Sequence, residues 1–232
     1  MYWQKRFERE NPDQKLEDAI QEVREKHEEY GYRRIYAALK NNGWHVNKKK
    51  VQRLVQKLSL QVTSFGRKSR KYNSYKGHVG KVAPNRIRRR FQSSVPHQKI
   101  ATDTTEFKYY EMTAAGNMQI RKAYLDPFMD LYNMEILCYS LTETPSGETI
   151  MDTLREAIQI TNDCKHRRTF HWDQGWAYQM KAYVHELKSK KIFQSMSRKG
   201  NCLDNAQMEN FFGIMKQEMY YGKVFHSFDN AK

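Results

Sequence analysis

The chain has 232 residues, 41 basic and 26 acidic side chains for a formal net charge of +15, and a hydrophobic fraction of 39%. That length can build one or two domains with a sizeable core, and the ordinary hydrophobic fraction excludes wholesale disorder. No apolar run reaches the roughly 18–20 residues of a membrane span, and the first residues lack a secretion signal. Three cysteines without metal-type spacing predict neither a disulfide framework nor a zinc site. Composition therefore predicts a basic, soluble, cytoplasmic protein with no membrane partner.

Residues 1–63 are predicted to form three helices. Apolar side chains recur every three or four residues over 16–30 and again over 32–39, and Gly43 is placed to end the second helix. Asn47 is the expected N-cap of the third helix. The inner face of that helix consists of Val51, Leu54, Val55 and Leu58. Two helices joined by a short turn that contains glycine are typical of a helix-turn-helix.

Three consecutive lysines begin the third helix. Because the helix macrodipole is positive at this end, the lysines are locally unfavourable there unless an anion binds. A DNA phosphate is the obvious anion, and a merely soluble lysine face on a three-helix bundle is the alternative. The strongly basic segment that follows favours DNA. The predicted DNA contacts of this region are Lys48, Lys49, Lys50, Gln52 and Arg53.

The positive charge is concentrated in residues 64–99, which carry a net charge of +11, against +5 for residues 1–63 and −1 for residues 100–232. Few apolar side chains and several Pro and Gly residues favour a linker here. A solvated connector is the simplest interpretation, but Lys and Arg side chains that neutralise phosphates release counterions, which favours a DNA-tracking strap. The predicted contacts are Arg67, Lys68, Arg70, Lys71, Arg88, Arg89 and Arg90.

Residues 100–232 alternate between strand-like and helix-like segments. The predicted strands cover residues 100–110, 118–128, 134–141, 169–172 and 192–196, with a turn near 127–133. The predicted helices cover residues 148–161, 177–188 and 203–221. Three strands followed by alternating helix and strand predict an α/β fold, with a mixed five-stranded sheet and helices on both faces.

Three acidic residues stand out in this half of the chain. Asp103 lies inside the first predicted strand, where aspartate is disfavoured, and Asp173 lies at the carboxyl end of a later strand, where open α/β sheets place ligand sites. Glu209 lies on the last helix. Each alone could be a solvated or capping carboxylate, but together they predict a site for two divalent cations, which prefer oxygen ligands and assist phosphoryl transfer. Because bare carboxylates repel one another, we expect the site to be poorly formed without metal.

Two further polar residues share the helix face of Glu209. Asn205 and Lys216 lie four residues before it and seven after it, which places an amide and a cation beside the expected metal site. Both are predicted to hold DNA phosphates, and an ordinary surface lysine is the alternative for Lys216.

Three acidic motifs and a helix-turn-helix segment over residues 30–54 match one known family. The motifs are Thr102-Asp103-Thr104-Thr105, then His171-Trp172-Asp173-Gln174-Gly175, then Ser195-Met196-Ser197 followed by Gly200, Asp204-Asn205-Ala206, Glu209 and Lys216. Thirty-five residues separate Asp173 from Glu209, the interval of the family's DDE signature. In these features the chain resembles bacterial insertion-sequence transposases of the IS-three family, OrfB type, whose catalytic domain is like retroviral integrase.

The resemblance implies an RNase H-like integrase domain over residues 100–232, after a helix-turn-helix region (1–63) and a basic linker (64–99). It implies DNA cleavage and strand transfer, with Asp103, Asp173 and Glu209 as catalytic residues and as ligands of two Mg²⁺ ions, for which Mn²⁺ can substitute. The implied partners are double-stranded DNA (terminal inverted repeats and target DNA), further copies of the chain and a fusion partner from an upstream reading frame. The implied location is the bacterial cytoplasm, on the nucleoid when DNA is bound. Family members generally continue further, so a truncated C-terminus is expected.

Two other functions remain open at this stage. A ribonuclease H-type nuclease would use the same carboxylates, although a flanking helix-turn-helix is unusual for it. A non-catalytic DNA binder or regulator left by a decayed element would keep the basic regions without the chemistry.

Overall fold

The computed structural model describes residues 11–62, 82–112, 116–175 and 177–231. The predicted boundary between residues 63 and 64 lies outside these ranges, as do the predicted DNA contacts Arg67, Lys68, Arg70 and Lys71. The chain divides into two compact units, Met1–Arg70 (unit 1) and Lys71–Lys232 (unit 2). No helix in the described ranges combines the length and the apolar character needed to cross a membrane.

Unit 1 contains the three predicted helices, α1 (Gln14–Lys26), α2 (Tyr32–Asn41) and α3 (Lys48–Lys57). The side chain of Asn47 accepts a hydrogen bond of 2.8 Å from the backbone N–H of Lys49, as an N-cap does. The three helices bury one shared core of Leu16, Ile20, Val23, Ile35, Leu39, Val51, Leu54 and Val55. The helical spacing in the sequence therefore predicts this core well, because all three helices turn their apolar stripes to one another.

Helix α3 also carries the predicted DNA contacts of unit 1. Lys48, Lys49 and Arg53 are exposed, whereas Lys50 and Gln52 are half-buried. Two of these cations already have an acidic neighbour, since Asp13 lies 2.5 Å from the ammonium group of Lys50 and 3.2 Å from a guanidinium nitrogen of Arg53. Such exposed ion pairs contribute little to stability and exchange readily, so both cations can still turn towards a phosphate.

Unit 2 is built on one mixed sheet. Its strands are β1 (Lys99–Thr102), β2 (Thr105–Met112), β3 (Met118–Asp130), β4 (Ile136–Thr142), β5 (Thr169–Trp172) and β6 (Phe193–Met196). Strand β1 pairs with β3 in antiparallel fashion and with β5 in parallel fashion. Strand β6 pairs with β5 in parallel fashion at the outer edge of the sheet, whereas β2 and β4 both pair with β3.

The sheet has six strands rather than the predicted five, because the first predicted strand is interrupted. Thr102 pairs with Phe128, Thr105 pairs with Leu125, and the register is the same on both sides of the break. Residues 103–104, where the strand is interrupted, therefore lie opposite residues 126–127 of β3. Residue 127 is a proline, which has no N–H to donate to a ladder, so pairing stops there. The predicted turn near 127–133 is likewise wrong at its start, since β3 continues through Asp130.

Helices cover both faces of the sheet, as predicted. They are α4 (Gly147–Ile160), α5 (Lys181–Ser189), α6 (Ala206–Met215) and a final short turn, α7 (Phe228–Ala231). Helices α4 and α5 pack with Ile100, Phe128 and Phe170 on one face, whereas α6 packs with Ala101 and Met129 on the other. The single helix predicted over 203–221 is wrong, because α6 is flanked by a 3₁₀ turn at Cys202–Asn205 and a π turn at Lys216–Tyr220.

Part of the predicted basic linker packs on unit 2. Ile87 is 2% exposed and lies in the same apolar cluster as Met208 and Phe212 of helix α6. The backbone N–H of Arg86 donates a hydrogen bond of 2.9 Å to the hydroxyl of Ser195 in β6. Residues 82–98 therefore contribute apolar and polar contacts to the rest of unit 2.

Replacing Ile87 with Ala is expected to lower the free energy of unfolding by about 2–4 kcal/mol, because it leaves a cavity beneath helix α6. Urea denaturation of the full chain checks this, with Val82→Ala as the control because Val82 is 43% exposed. Equal stability of the two variants would contradict a structural role for this segment.

Candidate active site

Two of the three predicted acids lie at the same edge of the sheet. Asp103 follows the last residue of β1, and Asp173 follows the last residue of β5. Because these two strands are parallel neighbours, their carboxyl ends meet, at the edge where open α/β sheets bind ligands. The Asp103 side chain is half-buried, and that of Asp173 is exposed.

Helix α6 brings the third acid to this edge. Met208 is fully buried against Ala101 of β1, and the next residue, the exposed Glu209, is therefore held beside the end of that strand. The buried amide of Asn205 donates a hydrogen bond of 3.4 Å to the carbonyl oxygen of Thr102. The residue before Asp103 is thus tied to the residue that precedes helix α6.

The carboxyl groups act on one another electrostatically. Burial raises the pKa of Asp103, the negative charges of Asp173, Glu209 and Asp126 add to this rise, and a hydrogen bond from Thr104 opposes it, so that the pKa is about 8. Burial also raises the pKa values of Asp173 and Glu209. The charges of Asp173, Glu209 and Asp126 are therefore near enough to Asp103 to disfavour its ionised form.

Backbone N–H groups orient both aspartates. Oδ1 of Asp103 accepts a hydrogen bond of 2.9 Å from the N–H of Thr104, and Oδ1 of Asp173 accepts one of 2.7 Å from the N–H of Gly175. Gly175 comes so close to Asp173 that an added Cβ would lie 3.0 Å from the same Oδ1 and 3.2 Å from a ring carbon of Tyr178. A side chain at position 175 would therefore displace the Asp173 carboxylate.

Replacing Gly175 with Ala is expected to lower DNA cleavage by about 10- to 100-fold, because small displacements of reacting groups cost that much. The expected change in stability is small, since the carboxylate can move aside. Cleavage kinetics check this, with Gly213→Ala as the control because a Cβ at Gly213 of helix α6 meets nothing within 4 Å. Wild-type cleavage by the Gly175→Ala variant would show that the Asp173 rotamer is unimportant.

A fourth carboxylate, missed by sequence reasoning, lies at the site. Asp126 of β3 is buried, accepts a short hydrogen bond from the Thr104 hydroxyl, and has a pKa raised by burial. The Thr104 hydroxyl is also 3.2 Å from the hydroxyl of the buried Tyr178. An aspartate inside a predicted strand was the available signal, the same one that singled out Asp103.

A buried ion cluster fixes the start of helix α6. The fully buried carboxylate of Asp204 accepts hydrogen bonds from Arg89 (3.0 Å), Arg198 (2.8 Å and 3.0 Å) and Asn85 (3.0 Å). These cations hold the pKa of Asp204 well below its usual range, with Arg198 contributing most. Arg89, predicted as a DNA contact, is therefore also a structural partner.

A hydrogen-bonded histidine connects this cluster to strand β5. In the buried ring of His171, Nδ1 lies 2.9 Å from the Ser195 hydroxyl and Nε2 lies 2.7 Å from the carbonyl oxygen of Asp204. Because a carbonyl oxygen only accepts, Nε2 carries the proton and Nδ1 accepts from Ser195. Burial lowers the pKa of His171, so the ring is neutral. This chain of bonds fixes β5 just before Asp173.

The other predicted phosphate contacts of unit 2 occupy different environments. Arg88 and Arg90 are exposed, whereas Asn205 is 4% exposed and contacts protein. The ammonium group of Lys216 lies 5.1 Å from the centroid of the Phe107 ring, at the π turn after helix α6. Their DNA contacts remain predictions.

The donor set at this edge fits a divalent cation. It consists of carboxylate oxygens, the ligands that Mg²⁺ prefers, and their mutual repulsion would be relieved by positive charge. Within the described ranges, no group of three His, Cys, Asp or Glu side chains is already arranged as a metal site.

Comparison with known proteins identifies the family. Residues 93–202 match the integrase core domain, and residues 11–68 match an HTH-like domain. The putative transposase InsK for insertion sequence element IS150 of Escherichia coli is 42% identical over 203 residues, which cover 88% of this chain and 67% of that protein. A transposase-like protein of Haemophilus influenzae is 44% identical over 187 residues, covering 81% of this chain and 80% of its own length. The chain belongs to the insertion-sequence transposases.

A third relative of this transposase supports the predicted IS-three family. The transposase InsF for insertion sequence IS3A of Escherichia coli is 30% identical over 200 residues, which cover 85% of this chain and 65% of that protein. Among solved structures, the catalytic domain of Mos1 mariner transposase has a TM-score of 0.44 and 13% identity, covering 58% of this chain and 66% of that one. The integrase core match places the transposase in the RNase H-like fold class and among the polynucleotidyl transferases.

Proposed function

We propose that this transposase cuts and joins DNA strands at the ends of an insertion sequence, with Asp103, Asp173 and Glu209 as its catalytic carboxylates. One observation supports the proposal: Asp103 and Asp173 follow the ends of β1 and β5, which are parallel neighbours, and Asn205, four residues before Glu209, is hydrogen-bonded to Thr102 at the end of β1. The charges of Asp173 and Glu209 also raise the pKa of Asp103. The integrase core match is consistent with this chemistry.

The three carboxylates would hold two Mg²⁺ ions, with Mn²⁺ as a substitute. When bound, such ions neutralise the carboxylates, polarise phosphoryl oxygens and lower the pKa of water. Thr104 and Gly175 keep the two aspartates turned to the site through their N–H groups. Helix α6 holds Glu209 in place through the buried Met208.

The reaction has two displacements at phosphorus. In the first, water attacks a phosphodiester at the element's end, the bond to the 3′-oxygen breaks, and a 3′-hydroxyl is released. In the second, that hydroxyl attacks another phosphodiester and expels its 3′-oxygen, which joins the strands. No bond to the protein forms in either step, which fits a site of carboxylates rather than of nucleophilic hydroxyl or thiol groups.

The DNA partner would be held by both units. In unit 1, the cations at the start of α3, Lys48 to Lys50, are proposed to contact phosphates of a terminal inverted repeat, and Gln52 and Arg53 lie one turn further along. In unit 2, Arg88, Arg90 and Lys216 are proposed to contact the DNA backbone. The active form is proposed to be a homo-oligomer on paired ends in the bacterial cytoplasm, with an upstream-frame fusion partner supplying additional DNA binding.

A strand-transfer assay tests the proposal. Wild-type protein, labelled element ends and Mg²⁺ are expected to give both cleaved and joined products, and EDTA is expected to abolish both. The matched pair Glu209→Gln and Glu156→Gln compares the proposed catalytic residue with an exposed glutamate of helix α4, and only the first is expected to lose activity. Cleavage without joining would indicate a nuclease. Equal DNA binding with no cleavage by any variant would indicate a non-catalytic DNA binder.

A further inference from the structure

A groove lined by cations runs along the outer edge of the sheet in unit 2. Its volume is about 700 Å³, and its walls come from residues 82–86, helix α5 and the first residues of β6. Arg86, Arg167, Lys181 and Lys188 line it, and none of the described lining residues is an Asp or Glu. We call this feature the β6 groove.

One aromatic ring in the β6 groove holds two of the cations. The guanidinium carbon of Arg86 is 4.1 Å from the centroid of the Phe193 ring, and that of Arg167 is 3.7 Å from it. Two guanidinium groups this close cannot share one ring face without overlapping, so they lie on opposite faces. Contact with the ring restrains both guanidinium groups, and Nε of Arg167 donates a hydrogen bond of 3.2 Å to the carbonyl oxygen of Lys191. Arginine side chains restrained in this way bind phosphate through their remaining N–H groups. Two like charges held on either side of one ring favour an anion beside them.

The positive charge of the groove is local. Residues 100–232 together carry a net charge of −1. The described lining of the groove includes cations but no Asp or Glu, so the groove is more basic than this half of the chain as a whole. A second cavity of about 290 Å³ lies next along the chain and is lined by Asn85, Arg88, Arg89 and Arg198. Asp204 neutralises only part of that charge. Residues 82–89 thus connect two basic cavities, one of which borders the cluster at the start of helix α6.

The β6 groove lies at the end of the sheet opposite the carboxylates. Strands β5 and β6 are parallel, Arg167 precedes β5 and Phe193 begins β6, whereas Asp173 follows the carboxyl end of β5. Six residues of extended chain span about 20 Å. A phosphate in the groove is therefore distant from the phosphodiester that reacts.

We infer that the β6 groove binds the phosphate backbone of DNA that flanks the reacting strand. The identity of the polyanion rests on the proposed function, in which DNA is the substrate. The inference fits several successive phosphates, because Arg86, Arg167, Lys181 and Lys188 line one groove and Arg88 and Arg89 line the neighbouring cavity. Contacts of Lys and Arg with phosphates position DNA independently of its sequence.

Salt-dependent DNA binding by the full chain tests this inference. The triple variant Arg86→Gln, Arg167→Gln, Lys188→Gln removes three charges from the groove. The control Arg121→Gln, Lys122→Gln, Arg155→Gln removes three charges that are each paired with an acid. Affinity for a labelled random-sequence duplex is measured in EDTA between about 50 and 200 mM KCl. The DNA affinity of the groove variant is expected to fall about 10-fold, and the magnitude of its slope of log K against log salt is expected to fall by about 2–3. The slope of the control variant is expected to change by less than about 1.

Each outcome of this test is decisive. The inference is overturned if the groove variant binds DNA as wild type does, or if the two triple variants lose affinity equally. Wild-type binding by the groove variant would point to an acidic protein as the partner of the groove. If the triple variant fails to fold, Lys188→Gln alone removes one exposed cation, and its expected loss of slope is about 0.9. Because binding is measured without metal, a failure of the proposed chemistry does not affect the result.

Discussion

Replacing Asp103 with Asn is expected to lower DNA cleavage by about 10³-fold or more. The same change is expected to raise the free energy of unfolding by about 1–2 kcal/mol in metal-free buffer at pH 7. Activity falls because a ligand for the metal is lost. Stability rises because folded wild-type protein must bind a proton at Asp103 at pH 7 to avoid a further negative charge beside Asp173, Glu209 and Asp126, whereas Asn at this position is neutral at every pH.

The direction of the pH dependence follows from the pKa. Burial and its acidic neighbours raise the pKa of Asp103 to about 8 in the folded chain, so the folded state binds this proton more tightly than the unfolded state. Asp103 therefore lowers wild-type stability progressively as pH rises from about 4 to about 8. The Asp103→Asn variant lacks this contribution. The amount by which its free energy of unfolding exceeds that of wild type is therefore expected to shrink as pH falls towards 4.

Magnesium is expected to reverse the order of stability. Ligand at 100 times its dissociation constant stabilises a folded protein by about 2.7 kcal/mol, and only the wild type has the full carboxylate set. Urea denaturation with Mg²⁺ and with EDTA measures both effects. Asp152→Asn is the control because that carboxylate is exposed on helix α4 and pairs with Arg155 at the surface. A variant that is less stable than wild type in EDTA and equally stabilised by Mg²⁺ would falsify the shared carboxylate site.

Local patterns explain which parts of the fold could be predicted. The apolar spacing of α1 to α3, the cap at Asn47 and the strand before Asp173 depend on residues within one or two turns of the chain. Such features can be predicted from the sequence because propensity, capping and periodicity depend on neighbouring residues. The position of Asp173 after a strand also carried information about the site, since parallel strands end at one edge.

Features that depend on partners distant in the sequence could not be predicted. The break after Thr102 follows from a register that sets Asp103 opposite Pro127 of β3, and no local signal gives that register. The ion pairs of Asp13 with Lys50 and Arg53 join residues about forty positions apart. The single helix predicted over 203–221 was wrong because apolar periodicity continues through its 3₁₀ and π turns. Asp126 was missed since a lone carboxylate in a strand is ambiguous without its neighbours.

The second large effect concerns Asp204, which we expect to act as a positioning residue. Replacing it with Asn is expected to lower the free energy of unfolding by about 2–3 kcal/mol, the cost of losing hydrogen bonds to charged groups. Asn85, Arg89 and Arg198 all donate to the carboxylate, and an Asn amide nitrogen would face those donors with another donor. The cost stays below that of a stranded buried charge, because the side chains of Arg89 and Arg198 are 44% and 62% exposed.

The effect of Asp204 on stability depends on pH in a definite direction. The pKa of Asp204 is held well below its usual range, so its stabilising contribution is fully present above the unfolded-state pKa of about 4 and is lost as pH falls below it. The difference between wild type and Asp204→Asn is therefore expected to shrink between about pH 4 and pH 2. Asp163→Asn is the control, since Asp163 is an exposed carboxylate paired with His97, and its expected effect is below about 0.5 kcal/mol.

The same substitution is expected to reduce DNA cleavage while leaving DNA affinity nearly unchanged. Asp204 accepts from His171 through its carbonyl oxygen and immediately precedes Asn205, which bonds to Thr102, so a loosened cluster shifts Glu209 relative to Asp103. A misplacement of this kind costs about 10- to 100-fold in rate. Single-turnover cleavage at saturating DNA, measured at a temperature where the variant is fully folded, separates this loss from instability. Wild-type cleavage by the folded variant would show that the Asp204 cluster only holds the domain together, whereas a slower rate at full DNA occupancy is the result that a positioning role requires.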